Sequence, residues 1–389
     1  MSLLISCSSG NKEQTVSHKY IKIYPKSSIR LSEIAKSVEL IPLEQTDQSN
    51  LGLVMKIIPD DDRYYLLDSR GYQERKVVVF DKKGKHLWTL DKRGGAPDEY
   101  PEARAISLTN EGELAIATYP DKVYYYDSNA EFIKKEKYET AFREIIINDK
   151  GELFSTVNWI DNTSPFRLFC DAEDSIHYFG KVSEDDYIRC SAFNMGNELH
   201  KYKNNLYYSY PFCDTIYNIS DNNLNVEYII DYDKARVPVE KIFKKNLESH
   251  ILSNQLDNYS KCFYKNAFQI SDNYVYIGSF DRQNKSMLTL HCKSTGNTLS
   301  SHLLVDDLIF PNNMYRFGYR NIPYAVEGDD LFLLIDPAWL MKGFRICKEK
   351  QTPAQWSVFV KRYPEIMDIC FQLTEESNPV LMKIELKHF

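Results

Sequence analysis

The chain contains no run of about 18 apolar residues, so no segment reads as a membrane-spanning helix. None of its 8 cysteines stands in a Cys-x-x-Cys spacing, which removes zinc-knuckle and thioredoxin-type motifs. Apart from Cys7 these are Cys170, Cys190, Cys213, Cys262, Cys292, Cys347 and Cys370, an odd set that does not make a complete disulfide framework. Cys170 ends the apolar run Leu168-Phe-Cys170, where a thiol serves as a small hydrophobe. There is no Gly-x-Ser-x-Gly elbow, no His-Glu-x-x-His, no Walker loop and no EF-hand loop. Basic charge is also short: 48 Lys and Arg against 55 Asp and Glu leave a net charge of −7. That balance argues against a nucleic-acid partner, because phosphate binding needs a basic face. The pairs Lys82-Lys83 and Lys134-Lys135 read as solvated turns and strand edges.

What the chain does have is β-forming residues: 28 Tyr and 20 Phe in 389 residues. It also has a rhythm. The apolar run Val77–Phe80 reaches Asp81, turns at Gly84 and resumes at Leu87. The same pattern recurs at Asp127 with Ala130 and Ile133, at Asp171 with Asp174, at Ser220 with Asn223 and Val226, and at Lys293 with Gly296 and Leu299. The markers lie 46, 44, 49 and 73 residues apart. Periods in the forties built of short strands indicate one four-stranded propeller blade per period. A second element recurs beside the first: Arg63–Asp68, Glu113–Ala117, Glu152–Thr156, Asn205–Tyr208, Asn273–Ile277 and Asp330–Leu334 each follow a polar turn. Turns such as Asn110-Glu-Gly112 and Asp149-Lys-Gly151 supply the positive φ that tight hairpins need. Six copies imply six blades.

With strands lettered A to D from the axis outward, blade six has A and B, and its C is Val380–Leu386. Its D is missing at that end, while Ser37–Leu43 is a strand without a blade. The economical solution pairs the two, which removes an exposed ring edge. The fold class is therefore all-β: a six-bladed β-propeller with four-stranded blades, closed by an N-terminal strand against a C-terminal one, plus helical insertions. In Pro238–Asn258 the residues Val239, Phe243, Leu247 and Ile251 recur at helical spacing. Thr352-Pro353 caps a helix carrying Trp356, Phe359 and Val360 that ends near Pro364. Residues 1–19 read as signal remnant and tether, and 20–389 as one domain with helical insertions at 237–260 and 337–377.

Lys92-Arg-Gly-Gly-Ala-Pro-Asp-Glu-Tyr-Pro101, with Gly112 and Tyr124-Tyr-Tyr-Asp127, resembles the NHL repeat. Taken with Ile29–Ile34, Val38–Glu44, Asp61–Asp68 and Asn378–Leu381, the chain resembles the six-bladed β-propeller lipoproteins of Gram-negative gut anaerobes. That resemblance implies a fold and an envelope location. It implies no activity and no catalytic residues. Leu4-Ile-Ser-Cys7 itself resembles a bacterial lipobox, with Cys7 as the lipidated residue and Ser8–Lys12 as a flexible tether; the plain alternative is a chance cysteine in a tail. The expected localisation is the cell envelope, touching the membrane only through a lipid anchor, with the leaflet and side left open.

Candidate chemistry is sparse. His177 and His291 fall in or beside strands and read as packed or surface histidines. Asp60-Asp-Asp62 lacks the remaining calcium-ligand spacing and reads as a solvated turn. Asp185-Asp186 and Asp306-Asp307 are consecutive, so in extended chain they point to opposite faces and make poor acid/base dyads. No metal or other cofactor is expected. Loop length is more telling: the A–B and C–D turns are short and share one face of the disc, while the B–C and D–A connections are long and share the other. Function concentrates on long loops held by a rigid scaffold. Arg70, Arg104, Tyr119, Trp159, Asp161, Tyr210, Asp281, Arg282 and Trp339 lie on those connections as candidate ligand-binding residues. Aromatic faces with charged anchors suit a glycan or peptide, or a partner protein of the envelope. The leading reading is a non-catalytic binding lipoprotein; the alternative is a carbohydrate-active hydrolase or lyase on the same scaffold, since a propeller does not settle function.

Overall fold

A computed structural model of the chain describes residues 19–71, 74–138, 141–157, 165–172, 175–182, 198–210, 212–242, 259, 262–281, 286–310, 313–316 and 325–389. The chain starts with three short strands, β1 (Lys19–Lys22), β2 (Pro25–Lys26) and β3 (Ile29–Arg30). A single helical turn, α1 (Leu31–Ile34), leads into β4 (Ala35–Pro42). Blade one is β5 (Leu53–Pro59), β6 (Arg63–Ser69), β7 (Arg75–Asp81) and β8 (His86–Leu90), paired in that order. Blade two is β9 (Ala105–Leu108), β10 (Leu114–Thr118), β11 (Lys122–Tyr126) and β12 (Phe132–Lys137). Blade three is β13 (Phe142–Ile147), β14 (Leu153–Val157), β15 (Phe166–Ala172) and β16 (Ser175–Lys181). Blade four is β17 (Leu199–Tyr202), β18 (Asn205–Tyr208), β19 (Thr215–Ser220) and β20 (Asn223–Asp231). The short helix α2 (Val239–Ile242) follows, and the rest of the helix expected up to Asn258 lies outside the described residues.

Blade five is β21 (Phe263–Ile270), β22 (Tyr274–Asp281), β23 (Ser286–Cys292) and β24 (Thr298–Ser301), followed by the hairpin β25 (Leu303–Asp306) and β26 (Asn313–Arg316). Blade six is β27 (Ala325–Glu327), β28 (Asp330–Ile335), β29 (Val380–Leu386) and, from the other end of the chain, β4. Leu381 pairs with Ile41 and Met382 with Leu40 in an antiparallel register, so the ring closes as the sequence implies. Between β28 and β29 stand three helices, α3 (Pro337–Glu349), α4 (Pro353–Arg362) and α5 (Pro364–Gln372). Asp336 caps α3, and Thr352 with Gln355 forms a reciprocal capping box on α4.

The marker residues have a physical role. The Asp81 side chain accepts N–H bonds from Lys83 and Lys85, and Asp127 does the same for Asn129 and Glu131. Each thereby builds the turn that carries the chain from strand C to strand D. Gly84 and Ala130 occupy the left-handed position of these turns, at φ +83° and +66°.

Successive side chains in a strand point to opposite faces, and here both faces are buried. Tyr64, Leu66, Val78 and Phe80 pack toward Phe332 and Leu381 of blade six, while Tyr65, Leu67, Val77 and Val79 pack toward Ile106, Ile116 and Tyr124 of blade two. That is why these strands read as unbroken apolar runs. The sequence pattern did not disclose the path of the first strands. β1 lies parallel along the outer edge of blade four, β2 along blade five, and β3 along β25. The N-terminal segment thus covers consecutive outer edges before it closes blade six, with Ile21, Ile29 and Leu31 buried beneath it.

Candidate functional site

The innermost strands of all six blades surround an axial cavity of about 540 Å³. Its wall includes Ile58, Leu108, Ile146, Leu199, Phe268 and Val326, one residue from each blade. Its rim is made of turns between strands A and B, at Asp60, Asn110, Asp149, Lys203 and Gly328. The cavity therefore opens on the short-turn face. Lys201 on the rim is tied to Asp149 at 2.6 Å, and Lys203 to Asp272 at 2.7 Å.

A belt of charge lies a short way below the rim on several inner strands. Three of those strands, β5, β13 and β21, carry a bulge at this level, beside Lys56, Glu144 and Lys265 respectively. Bulges re-aim side chains and recur near functional sites. The Lys56 ammonium stands 3.8 Å from Glu144, linking blade one to blade three. The other oxygen of Glu144 accepts the backbone N–H groups of Glu198 at 2.7 Å and Leu199 at 3.2 Å. Arg143 donates to the Glu198 carboxylate at 2.6 Å. Burial raises the pKa of the Glu144 carboxyl, and Glu198 adds to the rise while Lys56 opposes it. Burial lowers that of Lys56 against the pull of Glu144. His200, one step above, donates Nε2–H to the Ile270 carbonyl at 2.8 Å, and burial pushes its pKa down to about 4.

Of the residues singled out in the sequence, those described lie on connections at the end of the blades opposite the short turns. Arg104 precedes β9 and lies 4.3 Å over the ring of Tyr119, which is exposed, so these two meet. Arg70 donates to the Asn50 carbonyl at 2.6 Å. The Tyr210 ring is covered by the Arg167 guanidinium at 3.7 Å. Trp339 is exposed on α3 with the Lys342 ammonium 5.2 Å from its ring centroid. Asp281 ends β22. Trp159, Asp161, Arg282 and Cys7 lie outside the described residues. Asp306 and Asp307 are structural: the first accepts N–H bonds from Leu308, Ile309 and Phe310, the second anchors Ser32.

Sequence reasoning missed the belt. The signal was present as charge inside an otherwise apolar inner strand: Lys56 in LVMKIIP, Arg143 and Glu144 in FREIII, and Lys265 in FYKNAFQI. Each stands next to a bulge a short way before its turn, a position that becomes meaningful once the strand is known to line an axis.

The pattern of the family is matched across residues 19–385. The chain belongs to the family described as Domain of unknown function (DUF4934). A Bacteroides fragilis protein provisionally described as exported is similar over 95% of this chain and 100% of its own, at 15% identity and a TM-score of 0.71. A gluconolactonase from Xanthomonas campestris aligns over 94% of this chain and 99% of its own, at 10% identity and a TM-score of 0.39. BamB from Moraxella catarrhalis aligns over 76% and 69%, at 10% identity and a TM-score of 0.36. At 15% identity the likeness to the Bacteroides fragilis protein speaks for fold and not for activity. No match is found among curated proteins.

Proposed function

We propose that this propeller is an exported binding protein of the cell envelope, without catalysis, whose axial cavity seats a glycan or peptide group. One observation carries the reading: a cavity walled by all six blades stands over a belt in which both carboxylates already face fixed donors. General acid/base chemistry needs a carboxyl that can reach substrate. Glu144 and Glu198 instead join blade three to blade four. The apolar wall with a polar rim is the ordinary makeup of a binding pocket. The description of the Bacteroides fragilis protein supports export, and lipidation at Cys7 would supply the anchor.

The test is binding of the purified protein to glycan and peptide arrays, followed by titration of any hit. Tyr202→Ala and Lys203→Glu at the rim are expected to weaken it tenfold or more. Unchanged affinity in both variants excludes the cavity. A second reading keeps the long-loop face as a partner surface, favoured by the Arg104–Tyr119 and Arg167–Tyr210 stacks. Loss of the hit in Tyr119→Ala, with the rim variants intact, selects that face. Cleavage of a glycan hit by the wild type, abolished in Glu144→Gln, selects the hydrolase or lyase alternative.

A further inference from the structure

Among the described residues of the belt, one ammonium has no hydrogen-bond partner. Lys56 faces Glu144, Arg143 holds Glu198, and Arg236 holds Asp214. Lys265 is fully buried, and its ammonium has no hydrogen-bond partner. Asn266, the extra residue of the same bulge, is 2% exposed, and both polar atoms of its amide are likewise unpartnered. Buried polar groups are almost always hydrogen-bonded, and each exception calls for an explanation. A buried ammonium and a buried amide on consecutive residues, both left open, are costly together. Phe268 lines the axial cavity and its ring centroid lies 5.5 Å from the Lys265 ammonium, so the open pair is one side chain away from the cavity.

We propose that Lys265 and Asn266 form an anion site at the floor of the axial channel, matched to the carboxylate of a monoanionic organic acid or acidic sugar. The Lys265 ammonium and the Asn266 amide N–H₂ supply donors to the two carboxylate oxygens. The charge selects a monoanion: among the described residues the two carboxylates that act on Lys265, Glu198 and Asp214, each already face an arginine, so one negative charge neutralises the ammonium. A phosphate or sulfate dianion would leave an excess charge beside Glu198 and Asp214, both of which act on Lys265. Cation–π contact with Phe268 does not substitute for an oxygen partner.

Acetate is the probe, because it needs only the floor and no ligand for the upper cavity. Thermal unfolding of the full chain is measured against acetate, chloride, sulfate and phosphate at matched ionic strength. The expected result is a saturable rise of about 2–4 °C with acetate over chloride. Lys265→Met is expected to abolish it, while Lys203→Met on the rim retains it. Where Lys265→Met does not fold, Asn266→Asp serves: an internal carboxylate beside Lys265 should raise the midpoint without acetate and remove the response. No saturable rise with acetate, an equal rise in Lys265→Met, an Asn266→Asp variant that still responds, or a larger effect of sulfate or phosphate overturns the assignment. Acetate binding and array binding fail separately, so the floor and the upper cavity are tested independently.

Discussion

The turn between strands C and D of blade one should be the most substitution-sensitive glycine turn in the ring, and Gly84→Ala measures this. Gly84 has φ +83°. An alanine there first meets the left-handed backbone cost of about 1–2 kcal/mol. Its Cβ would also sit 2.2 Å from the Pro42 carbonyl oxygen and 3.1 Å from Ile41 Cγ2. Both belong to β4, the strand that closes the ring, and the Gly84 carbonyl accepts the Glu44 N–H at 2.8 Å. The neighbour is backbone, so it must shift, and forced overpacking adds about 1–3 kcal/mol. Gly112 is the control: φ is +78°, and no atom lies within 4 Å of a Cβ placed there. Gly112→Ala should therefore cost about 1–2 kcal/mol and Gly84→Ala about 2–5 kcal/mol. Urea unfolding gives the two values. Hydrogen exchange should show faster exchange in β4 for Gly84→Ala alone. Equal losses within about 0.5 kcal/mol would refute the claim that this turn docks on the closing strand.

Three further outcomes follow from the same contacts. Leu381→Ala, which empties a fully buried position between blades six and one, should cost about 2–5 kcal/mol in urea unfolding. Asp306→Ala strands the N–H groups of Leu308, Ile309 and Phe310 and should cost about 3 kcal/mol, with Asp306→Asn losing less because one oxygen still accepts. For His200 the folded pKa of about 4 lies below the ordinary 6.5, so the unfolded chain takes up the proton first. Stability should then fall as pH drops from 6.5 toward 4, by at most about 3 kcal/mol. His200→Asn should flatten that limb of the urea-midpoint profile, and a parallel profile in the variant would show that His200 does not titrate in this window.

The ring was legible because its local chemistry repeats. Asp81 and Asp127 make the same turn, each accepting two backbone N–H bonds. The closing pair was legible by elimination, since blade six, with Val380–Leu386 as its third strand, lacked a fourth and Ser37–Leu43 was a strand without a blade. What stayed hidden depends on distance along the chain. β1 to β3 join edges more than 200 residues away, at Tyr228, Ser300 and Leu304, and parallel pairing leaves no turn signature between partners. The belt stayed hidden for another reason. Lys56, Glu144 and Lys265 look like stray charges within apolar strands until inter-blade geometry brings them together.

Loop length marks the two ends of the axis differently. Longer connections carry Arg104 and Tyr210 at one end, where Tyr119 stands instead on the tight 119–121 link between β10 and β11, and short turns leave the cavity mouth uncovered at the other. A rigid ring makes the short-turn mouth attractive for recognition, because its rim is fixed by hairpins whose own side chains hold them. Asn148, for example, accepts the N–H groups of Lys150 and Glu152 in the turn that presents Asp149. Below that rim the inner strands bulge where charge is placed, so the features that distinguish this axis from an apolar plug are encoded by single extra residues. On the binding function proposed above, the gain would come from preorganisation, with the rim already held before any ligand arrives. Loosening the ring at Gly84 or Leu381 should therefore weaken ligand binding at the cavity even though neither residue touches it, whereas a site carried by the long loops alone would be indifferent to both.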